Sequence, residues 1–167
     1  MGVLFLSVSS VYAESAEEDC NRGDDYSKQR NFSQAISNYN KAIELNPNYA
    51  KAYSNRGAAY VYQDNFTQGI SDYNKAIELN PKDADVYFLR GFAYKTVEDY
   101  AHVISNYTEY IKIYPNDANG YDSRAGAYYN TKEYDKAWAD VHKAEGLGHA
   151  VYPGFLDNLK KASGRDK

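Results

Sequence analysis

The sequence is poor in the residues that carry catalysis, metal binding or covalent cross-linking. Cys20 is the only cysteine among 167 residues, which excludes an intramolecular disulfide framework and a multi-cysteine metal site. Histidine occurs three times, as His102, His142 and His149. Gly146 and Gly148 interrupt any helix between the last two, and no cysteine or paired carboxylate completes a ligand set. No phosphate-binding glycine loop, Gly-x-Ser-x-Gly elbow or His-Glu-x-x-His pair is written in the chain. The expectation is a protein that is not an enzyme and holds no cofactor and no metal. Proline (4) and glycine (11) are scarce, which favours helices joined by short turns. A basic excess is also missing. The net charge of −4 argues against nucleic acid as the partner, because a phosphate-binding surface needs clustered Lys and Arg. Long apolar runs are absent too. "MGVLFLSVSSVYA", residues 1–13, falls short of the roughly 20 residues that cross a bilayer, so no integral membrane span is expected. Its apolar and small residues before "ESAEED" read as a truncated secretory signal without a positive n-region. Export to a periplasm or the exterior is the expectation, with a cytoplasmic chain as the alternative.

What the chain does contain is tyrosine, 19 copies, and a period. "YNKAIELNP" runs from Tyr39 to Pro47 and again from Tyr73 to Pro81. Arg22-Gly23, Arg56-Gly57 and Arg90-Gly91 follow one another at 34-residue intervals; Arg124-Ala125 keeps the arginine, and Gly126 comes one place late. Pro47, Pro81 and Pro115 keep the interval, as do Tyr26, Tyr60, Tyr94 and Tyr128. A unit of this length holds two helices of about three turns and two short connections. Tyr53, Gly57 and Tyr60 share one helical stripe, and Ile70, Tyr73, Ala76 and Ile77 share another. Asn31, Asn65 and Asp99 stand before Phe32, Phe66 and Tyr100, where a short polar side chain caps the second helix. The second helix should end before each Pro, because the preceding residue is pushed out of the helical region.

These features resemble the tetratricopeptide repeat, a 34-residue helix-turn-helix unit. The resemblance implies an all-α fold: an α-solenoid, a right-handed superhelix of four units at about 16–49, 50–83, 84–117 and 118–151 within an array over 14–151. Residues 152–163 are expected to form a C-terminal capping helix that covers the last apolar face, with Phe155, Leu156 and Leu159 on one stripe, and 164–167 a tail. Places eight and twenty of each unit must be small for the helices to approach. Val103 at place twenty and Tyr110 at place twenty-seven are therefore expected to loosen or displace the third unit. Asp19, at place four where the family has a large residue, is expected to join Glu17 and Glu18 on a solvent-facing first helix. One departure recurs: place seven, usually Leu, is Arg22, Arg56, Arg90 and Arg124, opposite Asn38, Asp72, Asn106 and Asp140 at place twenty-three. Each guanidinium is expected to lie along the helix seam and bond that Asn or Asp.

In this family the first helices line a concave wall. The resemblance puts Lys51, Asn55 and Tyr62 of the second unit on it, with Phe88, Leu89, Phe92 and Lys95 of the third and Tyr129 of the fourth. Phe88, Leu89 and Phe92 make an apolar cluster of the kind that marks a binding surface. The reading is a scaffold or adaptor that binds a peptide or helix of a protein partner in this groove. The alternative is a self-associating structural module, a homo-oligomer. The subclass that grips the C-terminal carboxylate of heat-shock chaperones is not matched: its five places hold Cys20, Asp24, Asn55, Asp85 and Leu89, of which only Asn55 fits.

Overall fold

A computed structural model describes residues 15–165; the expected signal segment, 1–13, lies outside the described residues. Nine α-helices and no strands occur among the described residues: α1 (Ala16–Lys28), α2 (Phe32–Leu45), α3 (Ala50–Tyr62), α4 (Phe66–Leu79), α5 (Ala84–Thr96), α6 (Tyr100–Ile113), α7 (Ala118–Asn130), α8 (Tyr134–Gly146) and α9 (Pro153–Ser163). They pack as successive helix pairs that stack into a solenoid. None of these helices is long and apolar enough to cross a membrane.

Local chemistry sets each boundary. Asn31, Asn65 and Asp99 accept hydrogen bonds from the backbone N–H groups of Gln34, Gln68 and His102, as N-cap residues should. Ser15 and Glu18 form a reciprocal capping box at the start of α1. Asn46, Asn80 and Tyr114 leave the helical region (φ −139°, −140° and −118°) directly before Pro47, Pro81 and Pro115, as the proline ring demands. The turn inside each pair was not legible in the sequence. Arg30, Asp64, Glu98 and Lys132 all adopt left-handed φ of 58–62°. The residue after each one, from Asn31 to Glu133, donates its N–H to the carbonyl of Tyr26, Tyr60, Tyr94 or Tyr128. This is the Schellman closure, which usually takes glycine at the left-handed place. The fourfold use of a charged residue there keeps the turn geometry at a steric cost of about 1–2 kcal/mol each.

The arginine seam forms, and it reaches further than expected. Arg56 on α3 holds both oxygens of Asp72 on α4, at 2.7 Å each, and donates to Asn40 on α2 at 2.6 Å. Arg124 on α7 does the same with Asp140 on α8 (2.8 Å twice) and Thr108 on α6 (3.0 Å). Arg90 donates to Asn106 at 2.7 Å and to Asn74 at 2.6 Å. Each of these three guanidiniums therefore ties together its own pair and the second helix of the pair before. Each also sits 5.4–5.9 Å from the ring of Tyr53, Tyr87 or Tyr121 one turn earlier, a cation–π distance. Arg22 takes a carboxylate from its own helix, Asp19, at 3.1 Å. Arg90 alone has no carboxylate on it among the described residues, and desolvation lowers its pKa from the ordinary arginine value.

Two expectations are corrected. Asp19 does not face solvent; it is 1% exposed. Place four points inward, and the buried carboxylate is balanced by the Arg22 guanidinium. The third unit, likewise, is not loosened. Val103 is 0% and Tyr110 5% exposed. The ring of Tyr110 lies where the next unit supplies Gly120, whose missing Cβ would stand 2.8 Å from it, so a large residue on one side is matched by an absent one on the other. Close approach elsewhere is bought by glycine as expected: a Cβ on Gly57 would lie 3.0 Å from the Gly69 carbonyl oxygen.

The last pair is closed by α9. Pro153 opens this helix and Gly164, with φ 69°, ends it. Leu159 is fully buried with Trp138, Val141 and Val151, and the Trp138 indole donates to Ser163 at 3.1 Å. Removing residues 153–167 should expose this cluster and lower the melting temperature, with Trp138 fluorescence shifting to the red. On the seam, Asp72→Lys should cost at least about 3 kcal/mol, because it leaves two cations facing each other in a half-buried site. Asn106→Asp should act in the opposite sense. Supplying Arg90 with the carboxylate its neighbours have should gain about 1 kcal/mol, raising the melting temperature by about 2–4 °C. Thermal unfolding followed by circular dichroism reads all three.

Candidate protein-binding groove

The first helices α1, α3, α5 and α7 stand side by side, and hollows open between them. A mainly apolar one lies between the C-terminal halves of α3 and α5. Ala58, Val61, Tyr62, Leu89 and Phe92 form its sides, with Phe66 and Tyr73 of α4 behind them, around a volume of about 340 Å³. Tyr62 is 67% and Phe92 51% exposed, a large apolar area left in water. Tyr62 is held in place by stacking on Phe32 of α2, with centroids 4.9 Å apart and planes 8° from parallel. Three of the expected wall residues, Tyr62, Leu89 and Phe92, thus meet at one place.

Phe88 takes a different role. It is half-buried, with its ring 5.2 Å from Tyr107 in a T-shaped contact and 5.0 Å from Tyr110. It borders a second hollow with Asp85, Leu89, Tyr110 and Asn119. Its outer edge is available, but much of the ring seals α5 against α6. Lys95 and Tyr129 border a third hollow, between α5 and α7. Gly126 stands there at the place that Phe92 holds one unit earlier, and Phe155 of α9 packs edge-on to Tyr129 with centroids 5.6 Å apart.

Lys51, which stays exposed, and the part-buried Asn55 are both engaged by Asp24. The Asp24 carboxylate accepts from Asn55 at 2.6 Å and from the Tyr39 hydroxyl at 2.9 Å, and pairs with the Lys51 ammonium at 3.0 Å. The Asp24 hydrogen bond raises the pKa of Lys51 above the ordinary lysine value. Burial first, and then Asp24, pushes the Tyr39 phenol up as well. The cluster couples α1 to α3, so these side chains offer a guest little free charge. Sequence reasoning missed it because it needs Asp24, Tyr39, Lys51 and Asn55 at once, and no single spacing announces such a group. Phe66, Tyr73 and Asp64 were also missed as lining residues, since they belong to the second helix or the turn. Among the described residues no group of three His, Cys, Asp or Glu side chains could hold a metal ion. Burial pushes the Cys20 thiol up.

Paired helices stacked at a fixed interval, with small residues at each crossing and a wall of first helices, define a helical-repeat scaffold. The chain carries tetratricopeptide repeats: a TPR repeat model matches residues 23–64, and two tetratricopeptide-repeat models match 50–83 and 72–101. Among solved structures it is similar to MamA, at 27% identity and a TM-score of 0.77, covering 80% of this chain and 78% of that one. It is also similar in fold to the TPR domain of Arabidopsis OM64 (23% identity, TM-score 0.66, covering 69% and 95%). A third similar fold is the first TPR of Spaghetti (RPAP3), solved with the HSP90 peptide SRMEEVD (24% identity, TM-score 0.68, covering 70% and 93%). No curated protein matches the sequence. Family and neighbours together mark a protein-interaction scaffold.

The two phenylalanines of α5 should separate in a stability assay. Phe88→Ala removes a ring wedged between two tyrosines and should cost about 2–4 kcal/mol. Phe92→Ala removes one that faces water and should stay within about 0.5 kcal/mol. Urea denaturation of both variants checks this; equal losses would mean that Phe92 too is a packing residue.

Proposed function

We infer that the chain is an adaptor that receives a segment of a partner protein on the wall of first helices, anchored in the hollow between α3 and α5. The observation that carries this reading is the pairing of Tyr62 and Phe92, both more than half exposed, across a hollow with an apolar floor. Exposed aromatic side chains beside a concavity are the usual source of interface energy, and a wall of helices suits a helix or an extended peptide. The expected groove residues divide by role: Tyr62, Leu89 and Phe92 as anchors, Phe88 as a half-buried support, and Lys95 and Tyr129 as flanking contacts. Lys51 and Asn55 shape the wall through Asp24.

A chain-terminal carboxylate of the heat-shock type does not fit this wall. Asp24 occupies one clamp place and already holds Asn55, Tyr39 and Lys51, and Asp85 occupies another. An acidic tail would meet like charge at both. Open-ended self-association is less well supported than adaptor binding. The exposed side of α1 carries Glu17, Glu18, Asn21, Arg22 and Asp25, and that of α9 carries Asp157, Asn158 and Lys161; among the described residues the large exposed apolar side chain at these ends is Tyr152, just before α9, too little on its own for a stable dimer face. An exported setting is part of the same proposal and is carried by residues 1–13 alone.

Two measurements test the reading. Sedimentation velocity across a hundredfold range of concentration should show a single species of monomer mass. Selection of a random peptide library on the immobilised chain should enrich sequences that bind wild type and lose binding to Phe92→Asp. A dimer dissolved by Phe92→Asp would instead support self-association through the same hollow. Enriched peptides that bind the variant as well as wild type would move the site elsewhere.

A further inference from the structure

The groove reading above says where a guest lies; the charges around the hollow say what kind of guest it is, and this inference rests on that reading. The floor between α3 and α5 is apolar, but its rim is not. The left-handed turn residues run along the ends of the first helices as Arg30, Asp64, Glu98 and Lys132, all exposed. Their signs are plus, minus, minus, plus. The two acids fall on the second and third units, which frame the hollow, and Asp64 borders it directly. Neither Asp64 nor Glu98 has a side-chain hydrogen bond or ion pair among the described residues. Asp85, exposed at the other end of α5, has no cationic partner either. The cations of the wall lie elsewhere: Lys51 is held by Asp24, and Lys95 borders the next hollow with Tyr129. The apolar anchor site thus has two unpaired acidic side chains nearest its rim, Asp64 on the hollow and Glu98 at the adjoining turn, a local negative field with Arg30 and Lys132 at the outer turns. Such a field steers and retains a cation and repels an anion. The volume of about 340 Å³ is at the small end for a binding pocket and suits one anchoring side chain rather than a folded element.

We propose that the guest is a cationic amphipathic segment of a protein, which places one large apolar side chain between Tyr62 and Phe92 and sets lysine or arginine side chains against Asp64 and Glu98. The four turn residues need only a left-handed conformation from the fold, which glycine or asparagine would provide with less strain. Acidic side chains at the two places beside the hollow, and basic ones at the two outer places, give the rim a polarity that the turn itself does not require.

The probes are a fluorescein-labelled 14-residue helix-forming peptide of leucine and lysine and its counterpart with glutamate for every lysine, titrated against the full chain by fluorescence anisotropy. The Leu/Lys peptide should bind at least tenfold more tightly than the Leu/Glu peptide. Asp64→Asn/Glu98→Gln should weaken the Leu/Lys complex about tenfold, as expected for loss of two steering and pairing charges, and the wild-type affinity should fall as salt is raised. Glu44→Gln/Asp157→Asn removes the same net charge away from the wall and should change nothing. Equal binding of the two peptides, no binding of either, an unchanged affinity in the rim variant, or an equal loss in the control variant would each overturn the cationic guest. Phe92→Ser tells that failure apart from failure of the groove reading. If it weakens binding while the rim variant does not, the groove stands and the charge preference falls. If both peptides bind Phe92→Ser as they bind wild type, the groove itself falls.

Discussion

The structure depends on a guanidinium lying in the seam of the second, third and fourth helix pairs. Packed repeats of this size have few ways to fix the offset of one unit on the next, since apolar contacts tolerate sliding. A planar donor fork does not. Arg56 closes on Asp72 within its own pair and on Asn40 in the pair before, and the same three-helix bond recurs at Arg90 and Arg124. Its reach spans one helix pair and its predecessor, so it sets both the angle inside a unit and the step between units. The guanidinium of each of these three arginines also lies over a tyrosine ring one turn back, which shields the bond from water and narrows the rotamers available. The wall of first helices is a consequence: its spacing is held from behind, by side chains bonded between the helices.

The interval of 34 residues, the glycine crossings, the Asn caps and the stops before proline were legible because each is a property of one residue and its near neighbours. The arginine seam was legible for a related reason: donor and acceptor keep a constant 16-residue separation, so one unit's geometry repeats in the next. Most of what could not be read involved two units at once. Tyr110 looked too large for its place until Gly120 was seen to vacate the space. Asp19 looked like a surface acid because its partner Arg22 was already assigned elsewhere. Lys51 and Asn55 looked like free wall residues because Asp24, one unit earlier, points at them. The left-handed turns were invisible for a different reason. Arg, Glu and Lys carry no local preference for that conformation and Asp only a modest one, and the closure is enforced by the tyrosine carbonyls at the helix ends.

The three interfaces between neighbouring units are not copies. Two join Ala42 to Ala52 and Ala76 to Val86 in the same register, and the third joins Tyr110 to Gly120. Tyr110 also donates to Asp117, the N-cap residue of α7, and Asp117 is held below the ordinary carboxylate range, chiefly by that bond. The aromatic bulk of α6 thereby carries a polar tie across the junction. The same ring supports Phe88 from below. Packing between the third and fourth units and the shape of the wall at α5 are consequently one problem: a smaller residue at 110 would let Phe88 sink and would deepen the second hollow.

A wall fixed from behind has a consequence for recognition. Its backbone has little freedom to adapt to different guests, so selectivity rests on which side chain each unit puts at equivalent places. The clearest contrast is at the ninth place of the second, third and fourth units: Ala58, Phe92 and Gly126. Phe92 rises beside the α3–α5 hollow and makes it apolar and half-closed. At the next hollow Gly126 leaves a gap, and the chain's own capping helix brings Phe155 up to it. One hollow is therefore open to an outside side chain while its counterpart is partly occupied by an inside one. On the proposed function, units of the same backbone would then differ in what they offer a guest through these ninth-place side chains alone.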